Sequence, residues 1–163
     1  MPASVSQWAP MFEDAAERHG VDPALLSIMA LIESRGNPEA VSSSGAVGVM
    51  QIMPKTAEAI ARARGLKIFD LDQLRDPATN IDMAAWFLAK QIATFGDGRM
   101  SDATIALAAA AHNGGPSRMR KHLAEGTSLS RESIRYSDLV GALWRDRESA
   151  QSEVFDQKFG RPR

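Results

Sequence analysis

Along the chain, apolar residues fall at the three- and four-residue intervals of helical faces, and no segment sustains an alternation of two with β-branched enrichment. The pattern predicts helices and few strands. Proline and glycine mark the ends. Asp22-Pro23 reads as an N-cap followed by proline at the first helical position, and Gly36-Asn37-Pro38 ends that helix. Pro54 opens a second helix that closes at Gly65, and Asp76-Pro77 opens a long one that runs to about Phe95 and stops at Gly96. Ser101 can cap DATIALAAAA, which closes at Gly114-Gly115, and Pro116 starts SRMRKHLAEG. An earlier helix lies in WAPMFEDAAERHG, and a last one runs from about Ser130 to Ala150. The expectation is one compact all-α domain over residues 1–150, six or seven short helices with little or no β structure, and a loosely held polar tail at 151–163.

Composition narrows the function classes. At 163 residues the chain can bury one sizeable core, and its 44% hydrophobic and 24% charged content is ordinary for a globular protein. A formal net charge of −1 gives no argument for nucleic acid, and RMRKH at 118–122 reads as a solvated helix face. No cysteine is present, which excludes disulfides and thiolate chemistry, and the three histidines lack metal-ligand spacing. No metal or cofactor is expected. No apolar run reaches the roughly 18 residues a membrane span needs. The start, MPASVSQWAP, has neither a basic region nor an apolar core, so no signal peptide is expected in this numbering.

One charge stands out against the pattern. On a helix beginning at Pro23, the residues three, four and seven before Glu33 are Ala30, Met29 and Leu26. Glu33 thus continues an apolar stripe, where lost solvation raises a carboxyl pKa and suits it to general acid work. The loop SSSGAVGVMQIMP follows, with Gly45 and Gly48 three apart. Glycines let a backbone approach a ligand closely, and Gln51 offers the donor and acceptor that a sugar hydroxyl or acetamido group requires. Met50 and Met53 offer soft apolar surface to a pyranose face.

These residues together resemble the soluble (SLT) family of lytic transglycosylases, whose catalytic domain is goose-lysozyme-like. IES, then NPEAVSSSGAVGVMQIMPKTA, is similar to the family's glutamate-serine pair and its G-[AS]-x-G-[LV]-M-Q-[IL] loop. LRDPATNIDMAAWFLAKQIATFG resembles its D-P-x-x-N-I helix, ALAAAAHNGGPSRMRKH its A-Y-N-A-G-P segment, and ESIRYSDLV its late E-T-x-x-Y-V motif. The likeness covers about residues 22 to 145, in the family's order.

The resemblance implies roles residue by residue. Glu33 matches the catalytic acid, and Ser34 a support of the helix end. Ser42 matches a serine beside the reacting sugar, and Gln51 and Met53 match positions that line the groove. Asn113 matches the asparagine of A-Y-N-A-G, and Tyr136 the late tyrosine near the acid. His112 stands where the family has tyrosine, Gly114 where it has alanine, Ser137 where it has valine, and Ala84 where it has glycine.

The implied activity is cleavage of the N-acetylmuramic acid–N-acetylglucosamine bond in peptidoglycan glycan strands, with formation of a 1,6-anhydro ring. Most glycoside hydrolases use two carboxyl groups. Here one acid is well placed. No acid lies between Glu39, six residues on, and Glu58. In the family's reaction the same glutamate serves as acid and then as base. The implied setting is the periplasm or cell envelope, as a monomer, with a secretion, conjugation, flagellar or phage assembly as the accessory partner. A hydrolase on the same fold, and a glycan-binding module without turnover, stay open at this point.

Overall fold

The computed structural model describes residues 1–66 and 69–160. Its helices are α1 (Ala3–Ser6), α2 (Ala9–His19), α3 (Pro23–Ser34), α4 (Pro54–Ala63), α5 (Pro77–Phe95), α6 (Asp102–Gly114), α7 (Pro116–Glu125), α8 (Arg131–Arg145) and α9 (Glu153–Phe159), with a 3₁₀ turn at Leu71–Arg75. Among the described residues no strand forms, and the only pairings of extended backbone are isolated bridges at Val41–Val47 and Val47–Ile52. The all-α expectation holds.

The caps work as the sequence predicts. Asp22 Oδ1 accepts from the Ala24 N–H at 2.8 Å, and Asp76 Oδ2 from Thr79 at 2.8 Å. Ser101 and Ser130 accept from Thr104 and Ser133 N–H at 3.2 and 3.0 Å. Each bond satisfies one of the main-chain donors left open at a helix start. Three elements escape the periodicity: α1, the 3₁₀ turn and α9 are too short for a repeating apolar pattern. The final long helix stops at Arg145, and residues 153–159 of the expected tail form α9. Ser152 anchors that turn, accepting from Phe155 N–H at 3.2 Å and donating to Asp146 at 2.7 Å. The last residues of the tail, 161–163, lie outside the described residues.

The fold divides into two compact units, Met1–Ala89 and Lys90–Arg163. In the first, α2 packs on α3 and α1 packs on α3, over a core that includes the fully buried Phe12, Leu26, Met29, Met50, Ile60 and Ile81. The N-terminal turn reaches the far end of α3. Trp8 Nε1 donates to the Gly36 carbonyl at 2.8 Å. A Cβ at Gly36 would lie 2.1 Å from the Ser4 carbonyl oxygen, and its φ is +79°, so only glycine fits there.

A polar staple joins three helices of this unit. Asp82 on α5 receives Arg18 and His19 from α2 on Oδ1, at 2.6 and 2.7 Å, and Arg64, the C-cap of α4, on Oδ2 at 2.6 Å. Burial alone would raise the Asp82 carboxyl. The bonds from His19 and Arg64, with the Arg64 and Arg18 charges, outweigh it and hold the group below its usual range.

In the second unit α6 packs against α8 and α7, and α8 against α9. The alanine run of α6 is the contact surface: Ala108 to Ala111 are all buried. Small side chains let helix axes approach closely, as the sequence implied. Phe95, Met119, Leu107 and Leu129 fill in around Ala110 and Ala111.

Candidate active site

Glu33 occupies the last turn of α3, with Leu26, Met29 and Ala30 beneath it at no measurable exposure, and is itself half-buried. The predicted stripe is therefore real. The helix closes just beyond. Arg35 takes a left-handed conformation (φ 55°), and the Arg35 and Gly36 N–H groups bond back to the Leu31 and Ala30 carbonyls. Ser34, next to the acid, accepts from the Gly36 N–H at 3.1 Å and donates to the Val49 carbonyl at 2.7 Å. It supports the helix end, as the resemblance implied, and it fastens that end to the glycine loop.

The loop is built from main-chain closures. Val47 and Ile52 exchange both N–H···O bonds at 3.0 Å, Gly48 N–H reaches the Ala40 carbonyl at 2.9 Å, and Ser42 N–H reaches Ala46 at 2.9 Å. The Ser42 hydroxyl accepts from Ala46 N–H at 2.9 Å, so its first role is to close this turn. Gln51 has φ 47°, an uncommon backbone for a residue other than glycine. Its Nε2 donates to the Ala40 and Gly48 carbonyls at 3.1 and 3.0 Å. Both amide hydrogens are engaged within the loop, which leaves Oε1 as the atom Gln51 can offer a ligand. Met50 departs from expectation. It is fully buried and presents nothing to a sugar, whereas Met53 is 39% exposed. The reason is register: Met50 points into the core beneath the loop while Met53 sits at the start of α4. Val41, 55% exposed, adds apolar surface beside Ser42 that composition gave no reason to single out.

In the second unit, His112, Asn113 and Gly114 form the end of α6, facing α8. Ser133 Oγ donates to Asn113 Oδ1 at 3.0 Å and shares a 2.8 Å bond with Ser130 Oγ. A Cβ at Gly114 would stand 2.6 Å from Ser133 Oγ. Glycine in place of the family's alanine therefore makes room for the serine that orients Asn113. Ser137, in place of valine, donates to the Ala106 carbonyl at 2.8 Å and pins α8 to α6. His112 and the buried Tyr136 stack with ring centroids 6.5 Å apart and planes inclined by 16°. The residue keeps some exposed surface, but burial of the ring lowers its pKa from 6.5 to about 4, so the imidazole is neutral at ordinary pH.

The arrangement offers one acid on an apolar stripe. Glu39, the next acid along, is exposed and extends to Arg75 at 3.3 Å. Among the described residues no group of three or more His, Cys, Asp or Glu side chains is disposed to hold a metal. No helix among them is long and apolar enough to cross a membrane. Among the residues with structural roles that sequence reading did not assign are Ser133 and Asn80, a fully buried amide in the first turn of α5. Asn80 stands inside the D-P-x-x-N-I segment, directly before the buried Ile81, and an amide next to an apolar core position was the available signal.

Residues 10–134 match the family described as the transglycosylase SLT domain. Over 85 residues the chain is 42% identical to the endo-type membrane-bound lytic murein transglycosylase A of Klebsiella pneumoniae, a stretch covering 51% of this chain and 42% of that protein. The protein of the same description from Salmonella paratyphi B is 40% identical over 85 residues, with the same shares covered. An inactive mutant of the lytic transglycosylase Slt from Pseudomonas aeruginosa superposes with a TM-score of 0.69 at 25% identity, covering 88% of this chain and 25% of that one. The 70 kDa soluble lytic transglycosylase of Escherichia coli shares the fold, with a TM-score of 0.71 at 24% identity, covering 88% of this chain and 24% of that one. The matched stretch thus spans less than half the length of the curated relatives, and the chain matches about a quarter of each solved one.

Proposed function

The chain belongs to the transglycosylase SLT domain family, and on that premise we propose that it is a peptidoglycan lytic transglycosylase with Glu33 as its single catalytic acid and base. One observation carries the reading: Glu33 ends an apolar helix that Ser34 fastens to the glycine loop, while the next acid, Glu39, turns outward to Arg75. A hydrolase of the two-acid type needs a second carboxyl group beside the first, about 5–9.5 Å away, to act as nucleophile or to activate water. A lone acid suits a reaction that supplies its own nucleophile.

Glu33 protonates the glycosidic oxygen between N-acetylmuramic acid and N-acetylglucosamine. The substrate's acetamido group assists at the anomeric carbon. The glutamate, now a carboxylate, takes the proton of the C6 hydroxyl as that oxygen closes the 1,6-anhydro ring. No water is consumed. Gln51 Oε1, the exposed Met53, Ser42, His112, Asn113 and Tyr136 bind and orient the glycan. Neutral His112 serves as an apolar, hydrogen-bonding face and not as a charge. The names of the relatives, which are murein transglycosylases, support both the substrate and an envelope setting. The inactivity of a glutamate-to-glutamine mutant of the Pseudomonas enzyme supports a glutamate as the catalyst. The domain acts as a monomer at the envelope, and an envelope-spanning or phage assembly is the kind of machine that would deliver it.

Mass analysis of fragments released from purified sacculi tests the reading. The expected products carry 1,6-anhydromuramyl ends, lighter by one water than hydrolysis products. Reducing N-acetylmuramic acid ends alone would make the protein a hydrolase, and binding without release would make it a glycan-binding module.

A further inference from the structure

We propose that Asn80 is the positioning residue of the glycine loop: its buried amide sets the loop's backbone and thereby places Gln51 and Met53 against a glycan. This rests on the glycan-binding reading of that loop given above.

The geometry is explicit. Asn80 Oδ1 accepts from the Met50 N–H at 2.7 Å, and Nδ2 donates to the Val47 and Leu74 carbonyls, each at 2.9 Å. One amide group thus ties two main-chain atoms of the loop to the 3₁₀ turn ahead of α5. Both of its donors are used, and a flipped amide would set like against like at all three contacts. The side chain is fully buried, so water cannot replace a lost bond without opening the core. The loop also lies very close: a Cβ at Gly48 would stand 2.5 Å from Asn80 Nδ2 and 2.6 Å from the Leu74 carbonyl oxygen, at φ +83°. Gly48 is therefore required by contact as well as by backbone conformation.

Two anchors hold the loop, and they differ in what they reach. Ser34 ties Val49 to the helix end beside Glu33. Asn80 ties Val47 and Met50 to the start of α5. Gln51 follows directly, and its own side chain closes on Gly48 and Ala40. Removing the Asn80 anchor frees the loop residues that meet the glycan but leaves the Ser34 anchor intact. Binding should suffer more than the chemical step.

Asn80→Asp and Gly48→Ala attack the contact from its two sides. The aspartate keeps size and the acceptor for Met50 but turns an oxygen toward the Val47 and Leu74 carbonyls. The alanine pushes a methyl group into the same amide. Steady-state kinetics on soluble, uncrosslinked glycan strands, with hydrogen exchange read by mass spectrometry, form the test. In both variants KM should rise about tenfold or more while kcat stays within about threefold. Exchange protection should fall across residues 45–53 and persist in α2 and α3. A merely structural asparagine would lower the folded fraction, so kcat would drop at unchanged KM. That result overturns the proposal, as does a wild-type KM in a variant whose loop has lost protection. A wild type that turns over no glycan strand defeats the transglycosylase reading instead. Exchange alone then decides: selective loss at 45–53 upholds the positioning role, and unchanged protection there overturns it.

Discussion

The loop between α3 and α4 and the paired ends of α6 and α8 hold their polar groups by opposite means. In the loop, side chains grip backbone. Ser34, Ser42, Gln51 and Asn80 all bond to main-chain atoms. At the helix pair, side chains mostly grip side chains, with Ser133 on Asn113, Ser130 on Ser133, and His112 stacked on Tyr136, while Ser137 alone of these reaches across to a main-chain carbonyl, that of Ala106. The reason is accounting of main-chain groups. A helix satisfies its own carbonyls and N–H groups, whereas an irregular segment packed over a core must find partners for each of them. Amide and hydroxyl side chains of the loop thus have structural roles before any proposed contact with a glycan. Three of the four departures from the family pattern (His112, Gly114, Ser137) fall on the helix pair, and two of them, Gly114 and Ser137, adjust how α6 and α8 fit together.

The largest expected effect lies on the backbone-gripped side. Glu33→Gln keeps size and hydrogen bonding but cannot donate a proton to the leaving oxygen. Turnover of sacculi should fall by about 10⁴-fold or more, since general acid catalysis contributes about 10²–10⁴-fold and the proposed mechanism uses the same group as base. Circular dichroism and sacculus pull-down should be unchanged. Near wild-type lysis would remove Glu33 from the mechanism.

On the side-chain-gripped side, Tyr136→Phe should lower turnover by about 10–100-fold, a loss typical of misplaced reacting groups, with thermal stability close to wild type. Full activity would show that the stack with His112 alone is what Tyr136 contributes.

Paired stability measurements test the contrast directly. Gln51→Ala removes the side-chain bonds to the Ala40 and Gly48 carbonyls, each of which keeps a main-chain donor, and should reduce unfolding free energy by about 1 kcal/mol, as well as weakening glycan binding. Ser133→Ala strands only a side-chain acceptor that can turn to water, and should change stability by no more than about 1 kcal/mol. A larger loss for Ser133→Ala than for Gln51→Ala would break the comparison.

The smallest effect is in the pH dependence of folding. The His112 pKa lies at about 4 in the folded protein against 6.5 ordinarily, so the unfolded chain binds the proton first as pH falls. Its stabilising contribution is complete above about pH 6.5 and is lost as pH drops through about 4. His112→Phe should flatten urea-unfolding stability across that window. Asp82, also held below its ordinary value of 3.8, contributes stability that is lost only at still lower pH, and Asp82→Asn should leave the His112 window unaltered.

What the sequence made legible follows the same division. Helices declared themselves through local signals, a cap and an apolar stripe, so α3 and α6 could be bounded from their own residues and α8 at its start, though not at its end at Arg145. The stripe under Glu33 and the alanine contact of α6 were readable for that reason. The loop was not. Its register rests on Asn80, thirty residues from Met50, and no local pattern reports such a bond. This is why Met50 looked available for a sugar and Gln51 looked like a free amide. Its buried side chain and engaged donors are properties of the closed loop. At the other end, His112 could be seen as a departure from the family, but its neutrality depends on burial that only packing reveals.

The N-terminal turn adds one practical property. The Trp8 indole rests on the Gly36 carbonyl, three residues beyond Glu33. An indole in that position is an optical reporter in contact with the end of the acid's helix. The chain has three tryptophans. With Trp86 and Trp144 replaced by phenylalanine, the emission of Trp8 would follow any shift of the α3 terminus during glycan binding, without a label attached anywhere in the loop.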